Sequence, residues 1–150
     1  MGKSASLNNF PALMHSNGQS ATRPARPVHQ NIARLARRAA ELALEKKATD
    51  IKIFNVSQLT SIADFFVICT GSVDTHVRAI FEHIVDEMKK EEIRPWHIEG
   101  RERYQWILID FVDVVVHVFH PETREFYGLE RLWGDAQIEE IRDEPLSTTK

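Results

Sequence analysis

Histidines are the side chains in this sequence best suited to hold a metal ion, and there are seven of them. His117 and His120 stand three residues apart in a segment predicted as a strand, where alternation points them to opposite faces. His76 and His83 share one face of a predicted helix, but two helical turns separate them by about 10 Å, too far for one ion. Because neither pair can converge on one ion, we expect no bound metal and no cofactor.

A second candidate chemistry is nucleotidyl transfer, which combines a Gly-Ser at a helix start with two carboxylates that hold magnesium. Gly71 and Ser72 stand between a predicted strand and a predicted helix, and Asp110 and Asp113 lie near a strand end. A predicted hairpin turn separates the two aspartates, so their carboxylates should diverge. Ser72 is also explained as a helix N-cap. A nucleotidyltransferase-like or nucleotide-binding enzyme using Ser72, Asp110 and Asp113 stays the alternative, and it requires the carboxylates to converge within about 5 Å.

The last third of the chain places large amphipathic side chains beside acids, a pattern typical of surfaces that bind basic proteins. These residues are Tyr104, Trp106, His117, Tyr127 and Trp133, with the acids Asp110, Asp113, Glu125 and Glu130. Alternation places Trp106 and Asp110 on one face of the same strand. Since aspartate is rarely found in an apolar core, we expect this face to meet water or a partner at its end. The pattern predicts an acidic binding module without catalytic residues.

Charge is distributed unevenly along the chain. The formal net charge is −3, but residues 1–40 contain six basic residues and no acid. The remaining residues hold 13 basic groups and all 22 acids, a balance of −9. An acidic body repels phosphate backbones, which argues against direct nucleic-acid binding by the folded part. Cys69 is the single cysteine and cannot form an internal disulfide. No run approaches the roughly 18 apolar residues that a membrane span needs.

The hydrophobic pattern predicts one α/β domain of the α+β type over residues 31–136, with a five-stranded mixed sheet and helices packed on it. The predicted order is α-β-β-α-β-β-β-α. The clearest helical stripe consists of Val77, Ile80, Phe81, Ile84, Val85 and Met88. A second set of apolar residues at helical spacing predicts a short helix after Pro121: Phe126, Leu129, Leu132 and Trp133.

The two termini differ from the predicted domain in composition. Residues 1–30 are rich in Ser, Asn, Pro and Arg and predict a disordered arm. We expect a cytoplasmic protein. Because the arm is acid-free and carries serines, a transit peptide for the mitochondrion or plastid is the alternative. Residues 137–150 predict a flexible charged tail.

Four blocks of this sequence resemble the ribosomal silencing factor family, also called Iojap, and they occur in the family's order. The blocks are Asp64–Gly71, Glu99 and Gly100 with Trp106–Asp110, Asp113–Phe119, and Arg124–Trp133. The resemblance covers residues 31–136 and implies an α/β domain with a nucleotidyltransferase-like layout but no known catalysis. It also implies binding to ribosomal protein uL14 on the large ribosomal subunit. Occupying that face would block association with the small subunit and repress translation.

Carried over residue by residue, the resemblance assigns partner binding to Trp106, Asp110, Asp113, His117, Tyr127, Glu130 and Trp133. Trp106 would be the buried anchor, and the carboxylates would meet Lys or Arg of uL14. The family turn usually reads Asp-aromatic-Gly-Asp, whereas Val112 stands at the glycine position here, and valine resists the positive φ that glycine accepts. The basic arm could also touch ribosomal RNA after docking, and the free protein could form a homodimer.

Overall fold

The computed structural model describes residues 31–143, so the predicted arm at residues 1–30 lies outside the described part. The helices are α1 (Ile32–Glu45), α2 (Asp74–Lys90), α3 (Pro121–Tyr127) and α4 (Leu129–Leu132). The strands are β1 (Thr49–Asn55), β2 (Phe65–Thr70), β3 (His97–Glu99), β4 (Trp106–Asp110), β5 (Val114–Phe119) and β6 (Gln137–Ile141). None of the helices in this described range is long and apolar enough to cross a membrane.

The six strands form one mixed sheet in the order β3-β4-β5-β2-β1-β6. Strands β2 and β5 run parallel, and every other neighbouring pair in this order is antiparallel. The predicted α+β class is confirmed, but the predicted count of five strands is wrong. The sixth strand, β6, comes from the segment predicted as a flexible tail and pairs along β1 at the sheet edge. Its residues are mostly exposed, so it carries little hydrophobic pattern.

Apolar layers cover both faces of the sheet. Helices α1 and α2 pack on one face, and the predicted stripe of α2 is confirmed there, with Val77, Ile80, Phe81, Ile84 and Met88 buried. The opposite face carries a second apolar cluster that includes Phe66, Trp106, Phe119 and Leu129. Helices α3 and α4 follow β5 and supply Tyr127 and Leu129 to this second cluster. The candidate site lies on this second face.

The turn between β4 and β5 carries valine at the position where the resemblance implies glycine. Val112 adopts a φ of 78°. The N–H of Asp113 donates to the carbonyl of Phe111 over 3.0 Å, which closes a three-residue γ-turn around Val112. The Asp110 carboxylate accepts from the Val112 N–H at 2.7 Å. The hairpin therefore closes despite the β-branched residue, with local hydrogen bonds holding a conformation that valine disfavours.

The short helix predicted after Pro121 is observed as two pieces. Pro121 begins α3, a position where its fixed φ suits the first turn and its missing N–H costs no hydrogen bond. Gly128 then ends α3 in the left-handed conformation, with φ of 59°. The break changes which apolar residues face inward: Leu129 is 1% exposed, whereas Phe126 is 51% and Leu132 is 57% exposed. Half of the apolar set at helical spacing therefore faces outward.

Candidate protein-binding site

The centre of the site is a hydrogen-bonded pair of side chains on the second face, Trp106 of β4 and His117 of β5. The indole Nε1–H of Trp106 donates to Nδ1 of His117 over 3.1 Å. An indole N–H can only donate, so Nδ1 is unprotonated and the neutral imidazole carries its proton on Nε2. Burial lowers the pKa of His117 to about 3. Protonating Nδ1 would also set two donors against each other, so the pair stays neutral near pH 7.

Aromatic rings extend from Trp106 towards the surface. The Trp106 ring centroid lies 4.8 Å from that of Phe119 and 4.9 Å from that of Tyr127. Tyr127 in turn packs edge-to-face against Phe126 at 5.0 Å, an arrangement that aromatic pairs favour. The exposed fraction rises along this chain of rings, from 8% at Trp106 to 51% at Phe126. A buried anchor is thus continuous with an exposed aromatic side chain.

Trp133 joins the same cluster through a different neighbour. Phe66 on β2 packs edge-on against His117 at 5.0 Å and against Trp133 at 5.3 Å. Trp133 is partly buried against this cluster, beyond the end of α4. The structure therefore brings four of the seven sequence-predicted binding residues together: Trp106, His117, Tyr127 and Trp133.

An open cleft of 830 Å³ lies beside these rings, between α3 and the loop that joins β3 to β4. Its aromatic lining is Trp106, Phe126 and Tyr127, and its charged lining is Glu99, Glu102, Glu122 and Arg103. Glu99 is paired to His97 at 2.8 Å. The other two carboxylates still outnumber the one arginine, so the lining carries more negative than positive charge. We call this surface the acidic aromatic cleft. Its chemistry matches what a basic protein segment requires, namely ring faces for aliphatic stems and carboxylates for cationic groups.

Glu130, one of the predicted partner contacts, is already bound within the chain. The Arg124 guanidinium donates to it twice, from Nε at 3.0 Å and from Nη2 at 3.1 Å. The Lys52 ammonium lies 3.1 Å from the same carboxylate. The hydrogen bond from Arg124 is the main reason that the pKa of Glu130 lies below its ordinary value, with Lys52 adding to the effect. Glu130 does not line the acidic aromatic cleft.

Asp110 and Asp113 lie at the other end of the hairpin from Trp106. Four residues of extended backbone separate Trp106 from Asp110, or roughly 13 Å along β4. Both aspartates are buried, at 0% and 3% exposure. The expectation that this face meets water beside Asp110 is therefore wrong, because the β4–β5 turn folds back over the carboxylate. Asp110, Asp113 and His117 expose almost no surface, so a partner cannot contact these side chains directly.

The sheet topology separates Ser72 from the two aspartates that the enzyme alternative requires. In the parallel pair, Phe65 lies opposite Val114 and Thr70 opposite Phe119. Asp113 precedes one end of this pairing and Ser72 follows the other, so the strand alone places about 17 Å between them. Ser72 also fails to cap α2; its backbone N–H donates to Nδ1 of His76 at 2.9 Å instead. Within residues 31–143, no group of three His, Cys, Asp or Glu side chains is placed to hold a metal.

Comparison with known proteins gives this geometry a family context. Residues 29–150 match the family model described as "Ribosomal silencing factor during starvation". The chain belongs to the ribosomal silencing factor family. It is 40% identical to the ribosomal silencing factor of Bacillus subtilis (strain 168) over 103 residues, which span 69% of this chain and 87% of that protein. It is also 40% identical to the ribosomal silencing factor of Halalkalibacterium halodurans over 113 residues, covering 75% and 94% of the two chains.

A solved structure supports the same family membership. A protein crystal structure from Chromobacterium violaceum superposes with a TM-score of 0.67 at 33% identity, covering 69% of this chain and 86% of that one. The family match runs past residue 136, the predicted end of the ribosomal silencing factor domain. It thereby includes β6, which supports counting this edge strand as part of the folded domain.

Most residues that line the cleft were not among the predicted binding positions, and Phe126, Glu102 and Glu122 are the ones that matter most for its chemistry. Phe126 lay within a recognised block, but its place in an apolar helical series suggested burial. Glu102 lies in the β3–β4 loop, which has no periodic pattern, and Glu122 in the first turn of α3, so only the approach of that loop to α3 brings them together. Glycine is a common helix stop, so Gly128, two residues after Phe126, was the one available signal that the helix ends beside this side chain.

Proposed function

We propose that this protein is a translation repressor that binds ribosomal protein uL14 on the large ribosomal subunit through the acidic aromatic cleft. The bound domain would then occupy the joining face and exclude the small subunit sterically, without any turnover. Family membership supports ribosome silencing as the role. The observation that carries the choice of surface is the cleft itself, which exposed Phe126 lines together with Glu102 and Glu122 and where ring contacts continue inward through Tyr127 to Trp106.

The chemistry of the partner follows from the cleft and the charge balance. The part of the chain after residue 40 carries −9, so a phosphate-rich surface is disfavoured and a basic protein surface is favoured. Aromatic residues at the centre of an interface, with charges at its rim, are the usual arrangement of a binding hot spot. Three further statements stay predictions. The basic arm contacts ribosomal RNA, the free protein forms a homodimer, and the protein is located in the cytoplasm or in an organelle.

The direct test compares two exposed apolar side chains by cosedimentation with isolated large and small subunits at two salt concentrations. Phe126→Ala removes the outer ring of the cleft, and we expect its affinity for the large subunit to fall by at least about tenfold, as for a hot-spot aromatic. Ile138→Ala is the matched control, because Ile138 is 47% exposed on β6 at the opposite sheet edge. Neither change should unfold the domain.

The expected pattern is binding to large subunits only, loss of that binding in Phe126→Ala, and normal binding in Ile138→Ala. A subunit-joining assay by light scattering should show inhibition by the unaltered protein and not by Phe126→Ala. If Phe126→Ala and Ile138→Ala cosediment equally with the large subunit, the cleft is not the binding surface. Trp106→Ala is the poorer test, because Trp106 is 8% exposed and its removal would create a core cavity.

A further inference from the structure

We infer that Arg124 and Glu130 are positioning residues for the acidic aromatic cleft: the ion pair between the buried Arg124 and the partly exposed Glu130 holds α3 against the sheet, and neither residue touches the partner. This inference rests on the proposed function, because it assigns a role to a second set of residues in the same binding event. It replaces the direct contact that the family resemblance implied for Glu130. The experiment below separates the two roles.

The ion pair is the centre of a cluster that joins four elements, which we call the Arg124 clamp: Arg124 of α3, Glu130 of α4, Asp50 and Lys52 of β1, and Thr70 of β2. Beyond its two bonds to Glu130, Arg124 donates from Nη1 to the Asp50 carbonyl and to Thr70 Oγ1, both at 2.8 Å. Arg124 is 6% exposed. A guanidinium bound on three sides in this way leaves α3 little freedom to rotate or shift.

Helical spacing transmits this restraint to the cleft. Tyr127 follows Arg124 by three residues, so it lies on a neighbouring part of the same helix face and packs against Trp106. Phe126 projects outward beside it. Gly128 then turns the chain into α4, which carries Glu130 back to Arg124. The wall of the cleft that carries both rings is thus fixed at its inner side by the clamp, and its rings pack on each other and on Trp106.

The surroundings of Glu130 argue against a direct contact. Its carboxylate already faces two cations, Arg124 and Lys52, so an incoming lysine or arginine would gain little attraction there. The clamp borders a separate cavity of 410 Å³ whose lining includes Arg124, Glu130 and the exposed Arg131. That cavity is lined by two arginines where the acidic aromatic cleft has one, and it shares none of the aromatic rings. A cationic partner is better matched to the acidic aromatic cleft.

The test is a double-mutant cycle on affinity for the large subunit, measured with the full chain. Glu130→Gln removes the charge, and Glu130→Asp keeps it but shortens the side chain by one methylene, so neither can hold Arg124 as glutamate does. We expect both to weaken binding about fivefold, a coupling typical of residues in one network. In a Phe126→Ala background neither should weaken binding further, and the salt dependence of binding should match that of the unaltered protein.

A direct charge contact would give a different result on each count. Glu130→Asp would then bind almost normally, Glu130→Gln would flatten the salt dependence, and its effect would add to that of Phe126→Ala. Any of these outcomes overturns the inference. Glu122→Gln, a carboxylate of the cleft, is the control that should flatten the salt dependence.

If Phe126→Ala itself leaves binding unchanged, the proposed function fails first; if only the coupling is absent, the inference fails alone. Thermal unfolding of each variant confirms that it is folded, and Glu130 is partly exposed, so both changes should be tolerated.

Discussion

Val112 carries a local conformational cost that the sequence had already indicated. With φ of 78° it lies in a region that β-branched residues strongly disfavour. Relief of that strain should outweigh the extra chain entropy of glycine, so we expect Val112→Gly to raise the free energy of unfolding by about 1 kcal/mol. Chemical denaturation measures the change. Val112→Ala is the control, because alanine still resists positive φ and should gain less. A Val112→Gly protein less stable than the original would show that the turn is unstrained.

His117 predicts how stability should respond to acid. Its pKa is lowered to about 3 in the folded protein, because burial penalises the charged imidazole, whereas an unfolded histidine titrates near about 6.5. Between these values the unfolded chain binds the extra proton, so stability is lost as the pH falls below about 6.5. We expect His117 alone to contribute a slope approaching about 1.4 kcal/mol per pH unit near pH 5.

The contribution of His117 to the pH dependence of stability is isolated by comparison with His117→Gln, whose amide oxygen can still accept a hydrogen bond from Trp106 Nε1. Denaturant unfolding between pH 7 and pH 5 should show a steeper loss of stability in the original protein than in His117→Gln. Parallel curves for the two proteins would mean that the imidazole is protonated in the folded state, contrary to its burial beside a donor.

The residues that sequence reasoning placed well are those whose role depends on local pattern. Trp106 and Tyr127 were both assigned to partner binding, and the structure brings their rings into contact because the helix that follows β5 packs beside β4. The partner of Glu130 could not be read in the same way. Arg124 lies only six residues away, but the pairing depends on the left-handed turn at Gly128 that folds α4 back. Asp110 was misplaced because its own turn, rather than a partner, satisfies its carboxylate.

At the scale of elements, helix α2 and the β4–β5 hairpin were predictable because each buries a regular apolar series. Strand β6 was not, because an exposed edge strand has only one paired side and needs no alternating pattern. The division of the last helix into α3 and α4 was also missed. Glycine at position 128 is a stop signal, but apolar residues at helical spacing continue past it and favour one uninterrupted helix.

The α3–α4 corner should therefore depend on Gly128 more than on the other glycine nearby. Gly128 has φ of 59°, and a Cβ there would approach the Arg131 side chain to 2.4 Å, whereas a Cβ at Gly134 would meet only ordinary contacts from 3.4 Å. We expect Gly128→Ala to lower the free energy of unfolding by about 1 kcal/mol and Gly134→Ala to change it little. Thermal and denaturant unfolding of both variants measure the difference. Equal losses would mean that the left-handed turn does not define the corner.

For the whole molecule, the six-stranded sheet places the acidic aromatic cleft at one edge and the two long helices, α1 and α2, on the far face. The acidic aromatic cleft adjoins β3 and β4, whereas α1 and α2 cover the opposite side. Net charge and cleft charge have the same sign, so the field of the whole body and the local contacts should both attract a basic surface. The rate of association with the large subunit should therefore depend both on the net charge of the protein and on the charges of the cleft.

Charge reversal in the cleft should slow association with the large subunit more than the same reversal elsewhere. Glu102→Lys inverts a carboxylate of the cleft, while Asp86→Lys makes an equal change in net charge on an exposed position of α2. At low salt we expect the association rate of Glu102→Lys to fall about tenfold and that of Asp86→Lys to fall far less, because attraction at the interface steers the encounter. Raising the salt shortens the reach of these charges to about 10 Å or less, so the two rates should converge. Stopped-flow light scattering or surface-based binding follows both. Equal slowing by the two variants would locate the attraction in net charge alone and leave the cleft without a part in recognition.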